Sequence, residues 1–310
     1  MEYEAGVNTA HGKSKRNLYV IAGTVTILAF AIIFVVVLIC TIKTEHDLKE
    51  TVMSRCQSYV DPYTSASSVH YCEDIWSAFE QAYVGKDPCS VPPEAYNPLI
   101  NSFQQKIPCH KNLFWSRTKD MAHAFTKNRD CLITLEDTLV GFMFDGLKWC
   151  SSKGSKETFT TDCPGWTECP NNPVRSFWSR VSDNFAATAC GNVSVMLNGS
   201  IDTPFNPGST FASIEVKNFN PAIIESLTVL LVNKETDRTT CSDESLENLQ
   251  SILSSGPLKS VSYKCRVVQQ AKVKDCIDDQ KTLCGNCWPE TLCVPSTRLF
   301  NPRILLDKGT

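Results

Sequence analysis

Leu18 to Ile42 (LYVIAGTVTILAFAIIFVVVLICTI) runs for 25 residues without a charge. As a helix at 1.5 Å per residue it reaches roughly 37 Å, enough to cross about 30 Å of hydrocarbon with some tilt. Beyond it the apolar positions fall into shorter, patterned pieces. Phe114, Thr118, Met121 and Phe125 recur at spacings that put them on one helical face, as do Trp178, Val181 and Phe185. From Cys56 to about Cys190 the chain reads as helices broken by proline- and cysteine-bearing loops. From Val193 the character changes to short runs rich in branched residues: Val193 to Leu197, Leu227 to Val232 and Val261 to Val268. Between the last two, Ser242-Asp-Glu opens a helix carrying Leu246, Leu249, Ile252 and Leu253. Strand, helix and strand in that order predict a βαβ unit with a parallel sheet. The fold class is therefore α/β (α+β): a mostly helical half and a smaller half with a short parallel sheet flanked by helices.

Charge orients the apolar span. Lys13, Lys15 and Arg16 precede it, whereas Lys43, Glu45 and Asp47 follow. The positive-inside bias puts residues 1–17 in the cytosol and everything after residue 42 outside. The span lacks the small-residue cleavage site of a signal peptide. The expected layout is a cytoplasmic tail at 1–17, a transmembrane helix at 18–42 and a charged stalk at 43–55. A catalytic-sized ectodomain follows at 56–285, with a tail at 286–310. The protein would sit in the plasma membrane as a single-pass type II chain.

Cysteine usage agrees with an exported body. Of 16 cysteines, all but Cys40 lie beyond residue 50, mostly at long, irregular spacings that suit disulfides in an oxidising compartment. Cys284-Gly-Asn-Cys287 with Cys293 is the one cluster with zinc-like spacing, and disulfides are its plainer reading. His70, His110 and His123 do not accompany cysteine pairs, and no metal is expected. Asn192-Val-Ser and Asn198-Gly-Ser are glycosylation sequons. The net charge of −3, with both signs interspersed, argues against a nucleic-acid partner. No Gly-x-Gly-x-x-Gly, Gly-x-Ser-x-Gly or His-Glu-x-x-His occurs, which removes the main support for a dehydrogenase, an elbow-type serine hydrolase or a zinc protease.

Three patches join aromatic or branched residues to carboxylates or hydroxyls: Leu113 to Asp120 (LFWSRTKD), Thr134 to Asp145 (TLEDTLVGFMFD), and Ser209 to Val216 (STFASIEV) with Phe177-Trp178 beside it. Taken alone, each is an ordinary core element with solvated charges. Together with IPCHKNLFWSRTKDMAHAFT, NNPVRSFW, VMLNGS and the ordered cysteines, they resemble the ADP-ribosyl cyclase family over about Cys56 to Cys276. The resemblance implies an ectoenzyme that splits the nicotinamide–ribose bond of NAD. It would give mainly ADP-ribose, with cyclic ADP-ribose as a minor product that is itself hydrolysed, and NAD would be the substrate with no separate cofactor. Glu215 falls on the family's catalytic glutamate, taken here as a strand end, and Trp115 and Trp178 on its two substrate-flanking tryptophans. Glu136 falls on the glutamate of the TLEDT signature and Asp145 on the acidic residue that follows. Ser116, Arg117, Ser182, Ser209, Thr210 and Phe211 match ribose- and phosphate-binding positions, and Lys119 matches a lysine that contacts the cyclic product. The same resemblance implies the pairs Cys56–Cys72, Cys89–Cys169, Cys109–Cys190, Cys150–Cys163 and Cys241–Cys265, with a last bridge closing through Cys284 or Cys287. Gly146 stands where a second acid is common, Ala212 replaces a glycine, and Cys131 is additional. A homodimer and a cell-surface protein partner are both compatible with this layout. So is a non-catalytic adhesion or receptor ectodomain, although such a module has no need of Glu215, Trp115, Trp178 and Glu136 together.

Overall fold

A computed structural model describes residues 28, 30–34, 48–60, 67–103, 105–127, 131–279 and 287. Residues 49–310 form one compact unit and 1–48 another. Of the expected transmembrane segment, only 28 and 30–34 are described; these are helical and exposed, and the rest lies outside the described residues. Among the described residues no helix is long and apolar enough to cross a membrane.

Four parallel strands form the sheet in the order β1-β2-β3-β4: β1 Leu113–Ser116, β2 Gly191–Asn198, β3 Ile224–Asn233 and β4 Ser262–Gln269. Trp115 is in register with Met196, Val195 with Val229, and Val229 with Cys265. The near-continuous apolar runs of β2 and β3 follow from burial on both faces, as parallel sheets require. At the edge, β4 is half exposed. Helix α7, Glu244–Ser254, connects β3 to β4, capped by the Asp243 carboxylate accepting from the Ser245 amide. It buries Leu246, Leu249 and Leu253 while Ile252 faces outward, so the predicted apolar stripe is one residue narrower.

Each face of the sheet has its own cover. On one side, Leu113, Met196, Leu230, Val232 and Val268 pack with Ala122 and Phe125 of α4 (Lys119–Thr126) and with Val273 and Cys276 of α8 (Gln270–Asp278). On the other, the Phe114 ring meets Phe185, Phe211 and Phe219 at 5.1, 6.0 and 5.1 Å. Phe114 thus belongs to β1, and the helix expected to carry it starts only at Lys119. The helical spacing of residues 114 to 125 is coincidental across a strand-to-helix turn. Strand alternation sends Phe114 to one face and Trp115 to the other.

The helical half comprises α1 (49–59), α2 (Ser67–Tyr83), α3 (Asn97–Ser102), α5 (Leu139–Phe144) and α6 (Pro173–Thr188). Its centre is an aromatic cluster in which Phe79 lies 4.3 Å from Phe144 and 5.0 Å from both Tyr83 and Trp149. At its polar edge Trp149 Nε1 donates to Tyr96 Oη at 3.0 Å, and Tyr96 Oη donates to the Pro173 carbonyl at 3.0 Å. The residues expected as a stalk are helical from 49 onward and packed from Val52. Val52 is fully buried, and Arg55 Nη1 donates to the Asp145 carbonyl at 2.7 Å, closing the end of α5.

Disulfides join Cys56–Cys72, Cys89–Cys169, Cys109–Cys190, Cys150–Cys163 and Cys241–Cys265. Cys276 bonds Cys287, and Cys131 is disulfide-bonded too. With Cys287 oxidised, the zinc-like spacing at 284–293 loses a thiolate, and Cys284 and Cys293 lie outside the described residues. Among the described residues no group of three or more His, Cys, Asp or Glu stands where it would hold a metal ion.

Candidate active site

Parallel strands end where their connections leave, and this edge of an α/β sheet commonly holds the ligand crevice. Here the carboxyl ends of β1, β2 and β3 open on a cleft of about 510 Å³ lined by Trp115, Arg117, Lys119, Asn198, Ser200 and Lys234, among others. Arg117 and Lys234 against Asp120, with Lys119 already held by Asp145, still leave it cationic and suited to an anionic chain such as a pyrophosphate. Arg117 takes a left-handed conformation, φ 59°, which turns the chain sharply from β1 into α4. Thr118 fixes that turn by donating its hydroxyl to the Met196 carbonyl at 2.8 Å.

Trp115 belongs both to this cleft and to a cluster behind it. Its Nε1 donates to Glu136 Oε2 at 3.1 Å. Glu136 lies in the tight turn Leu135–Asp137, which Thr134 and Asp137 cap reciprocally, while the Thr138 side chain caps α5. His123 Nε2 stands 3.1 Å from the same Glu136 oxygen, outside hydrogen-bond alignment but within ion-pair range. Asp145 ends α5 and holds Lys119 Nζ at 2.7 Å.

Gly141 is what lets this turn sit where it does. A Cβ there would collide with the Leu135 carbonyl and come within 2.6 Å of Glu136 Cα. Gly141→Ala is therefore expected to push the Glu136 turn away from α5 and to cost about 1–3 kcal/mol of stability. A thermal melt of the folded ectodomain checks it, and an unchanged midpoint would mean that the turn relaxes freely.

Glu215 comes from a second direction. It ends a π-helical turn, Phe211–Glu215, rather than the strand expected for it, and is only 7% exposed. The turn is nucleated by Ser209, whose hydroxyl donates to the Asn206 carbonyl at 2.7 Å and accepts from the Ala212 amide at 3.2 Å. Burial pushes the Glu215 carboxyl up to about 8; the Ser182 hydroxyl hydrogen-bonded to it draws it down, and the charge of Glu136 raises it. Trp178 lies one turn before Ser182 on the same face of α6, which places it on the Glu215 side. Its ring stands edge-on to Phe177 at 5.1 Å.

The residues singled out in the sequence thus fall into three places. Trp115, Glu136, Lys119 and Asp145 form one cluster, and Glu215 with Ser182 another, with the Glu136 charge felt at Glu215 and Trp178 one helical turn from Ser182. Arg117 lines the cationic cleft. Ser116 is buried at the end of β1, and Phe211 is enclosed by Phe114, Phe205 and Phe219, so its ring serves the core. Thr210 is half-buried at the mouth of the π-turn. Of the sequons, Asn198 stands at the turn after β2, whereas Asn192 is half-buried within β2 and accepts from Ser226 Oγ at 2.8 Å. His123 and Gly141 were not singled out. The signal for His123 was its position four residues after Lys119, on the same face of an amphipathic helix.

A family model described as ADP-ribosyl cyclase matches residues 45–285. Rat ADP-ribosyl cyclase/cyclic ADP-ribose hydrolase 1 is 39% identical over 213 residues, 68% of this chain and 70% of the rat protein. The Aplysia californica ADP-ribosyl cyclase/cyclic ADP-ribose hydrolase is 30% identical over 193 residues, 60% of this chain and 68% of its own. Among solved structures, porcine CD38 with a covalent intermediate, ribo-F-ribose-5'-phosphate, superimposes with a TM-score of 0.65 at 36% identity, covering 72% of this chain and 96% of that one. Aplysia cyclase with substrate NGD and product cGDPR gives 0.64 at 26% identity, covering 77% and 96%.

Proposed function

Because the chain belongs to the ADP-ribosyl cyclase family, we propose that it cleaves the nicotinamide–ribose bond of NAD, yielding mainly ADP-ribose and a minor share of cyclic ADP-ribose that it also hydrolyses. It acts as a type II ectoenzyme at the plasma membrane, with its catalytic domain outside the cell. The observation that carries the reading is Glu215: a buried carboxyl, hydrogen-bonded to Ser182 and electrostatically coupled to Glu136, in a protein whose relatives are enzymes.

The chemistry follows from the substrate. Nicotinamide in NAD is cationic and leaves with the electron pair of its bond to ribose, so no metal is required to expel it. Trp115 and Trp178 offer flat faces that hold a planar cation, each worth about 0.5–2 kcal/mol. Departure leaves an oxocarbenium-like ribosyl centre, comparable to that of glycoside hydrolysis. Glu215, as carboxylate, stabilises that charge and accepts from ribose hydroxyls. A covalent intermediate, such as the one named for porcine CD38, is one fate of such a cation held against a nucleophile. Arg117, with the hydroxyl of Thr210, holds the pyrophosphate, while Ser209 shapes the turn that presents Thr210. Water adding to the cation and losing a proton gives ADP-ribose; attack by the substrate's own adenine nitrogen gives the cyclic product. Glu136 governs that competition by orienting water and giving the adenine a polar, charged surface.

The test is direct. Ectodomain incubated with NAD should release nicotinamide with ADP-ribose in excess over cyclic ADP-ribose, and intact cells bearing the full chain should consume added NAD. Absence of nicotinamide would leave a non-catalytic adhesion or receptor ectodomain.

A further inference from the structure

His123, in the cluster behind Trp115, is a group that the reaction as drawn does not use. His123 stands on α4 with its ring edge-on to Trp115, centroids 5.9 Å apart at 88°, and its Nε2 3.1 Å from Glu136 Oε2. Both partners are sequestered, at 24% and 10% side-chain exposure, so the contact is not a solvated surface pair. The same carboxylate oxygen accepts from Trp115 Nε1. Tryptophan, glutamate and histidine thus form a closed triangle: the histidine meets the carboxylate, the carboxylate meets the indole, and the indole meets the histidine ring.

We propose that His123 is a positioning residue for Glu136: as imidazolium it pins the carboxylate against the Trp115 indole and so keeps the cyclic product minor. The proposal rests on the reading that Glu136 decides between water and adenine. A Glu136 carboxylate held only by the 3.1 Å bond from Trp115 Nε1 could still swing about that single contact. An adjacent cation supplies a second restraint, an ion pair acting on the same oxygen from a different direction.

The groups acting on the imidazole come from every element around it. Glu136 faces it from the turn before α5, Asp145 from the end of α5, and Lys119 from its own helix. Trp115 covers it from β1, and α8 packs on α4 through the apolar Val273 and Cys276. Burial disfavours the imidazolium, and Lys119 opposes it too, but the Glu136 contact and the charges of Glu136 and Asp145 outweigh both, so the imidazole titrates above its ordinary value. The pinning cation is therefore present at low pH and lost as pH rises through that point.

The measurement is the cyclic fraction of total product, at equal NAD conversion, from about pH 5 to about pH 9. Glu215 titrates in part of that window, but it acts before the two products diverge and cancels from the fraction. In the wild-type chain the cyclic fraction is expected to rise with pH by about threefold, the scale of one modest ion pair. In His123→Gln it should be high and flat across the window, while in His123→Lys it should stay low to higher pH. A melting curve for each variant separates loss of positioning from loss of fold. A wild-type fraction that stays flat with pH, or a His123→Gln chain that keeps the wild-type profile, overturns the proposal. Failure of the wild-type chain to release nicotinamide at all would instead strike the enzymatic reading beneath it.

Discussion

Glu215→Gln is expected to lower nicotinamide release by roughly a hundredfold or more, with ADP-ribose and cyclic ADP-ribose falling together. In the proposed mechanism both products descend from one ribosyl cation, and removing a preorganised charge opposite such a centre costs on that order. The amide keeps the shape of the side chain and a partner for Ser182, so the fold should survive. Wild-type kcat/KM should itself rise with pH towards about 8, because the carboxyl must lose its proton in the free enzyme before it can face a cation. Stability runs the other way. The folded-state value of about 8 lies above the ordinary 4.5, so the contribution of the protonated group is fully present below 4.5 and is lost as pH rises through 8. A shift of that size corresponds to at most about 5 kcal/mol. The variant cannot ionise and should therefore melt above the wild type at alkaline pH. Retention of more than about a tenth of wild-type turnover would show that Glu215 does not carry the charge.

How much of this was legible follows from which signals are local. The runs at Val193 and Leu227 are strands because branched residues fill a sheet buried on both faces, the run at Val261 forms its half-exposed edge, and the Ser242-Asp-Glu cap marks α7. The parallel pairing followed from their order along the chain. Phe114 misled because four side chains spanning a strand and a helix can share helical spacing by chance; only sheet alternation separates it from Trp115. The π-turn under Glu215 was hidden for a similar reason. Phe-Ala-Ser-Ile-Glu-Val has the branched and aromatic content of a strand, yet the Ser209 hydroxyl accepts from the Ala212 amide and starts a helical turn instead. Asn192 in its sequon carried no sign of lying within a strand. For His123 the sequence offered only its place one turn after Lys119; what gives it meaning is a carboxylate 13 positions on, brought near by the Leu135–Asp137 turn and the bare Cα of Gly141. The resemblance named individual residues, not the contacts that hold them.

The Glu136 carboxylate leads to the second large effect. Once nicotinamide has left, water and the adenine ring compete for one carbon, and a difference of about 1.4 kcal/mol between the two barriers changes their ratio tenfold. Glu136 is well placed to set that difference: one oxygen receives Trp115 Nε1 and stands 3.1 Å from His123, while its charge reaches Glu215. Held there, it can bind the attacking water, and it presents a charged edge where the folded adenine would have to lie. Glu136→Leu replaces both with a dry surface and leaves Trp115 Nε1 and His123 without their acceptor. The cyclic share of product is therefore expected to rise by about tenfold even as total turnover falls. Loss of the Glu136 charge also lets the Glu215 carboxyl ionise at lower pH, so the kcat/KM profile of the variant should shift towards acid. A residue that only capped its turn would behave otherwise, and the geometry gives that task to Thr134 and Asp137. Product analysis at matched conversion decides between them: a lower melting point with an unchanged cyclic share would mean that Glu136 supports the fold and takes no part in choosing the product.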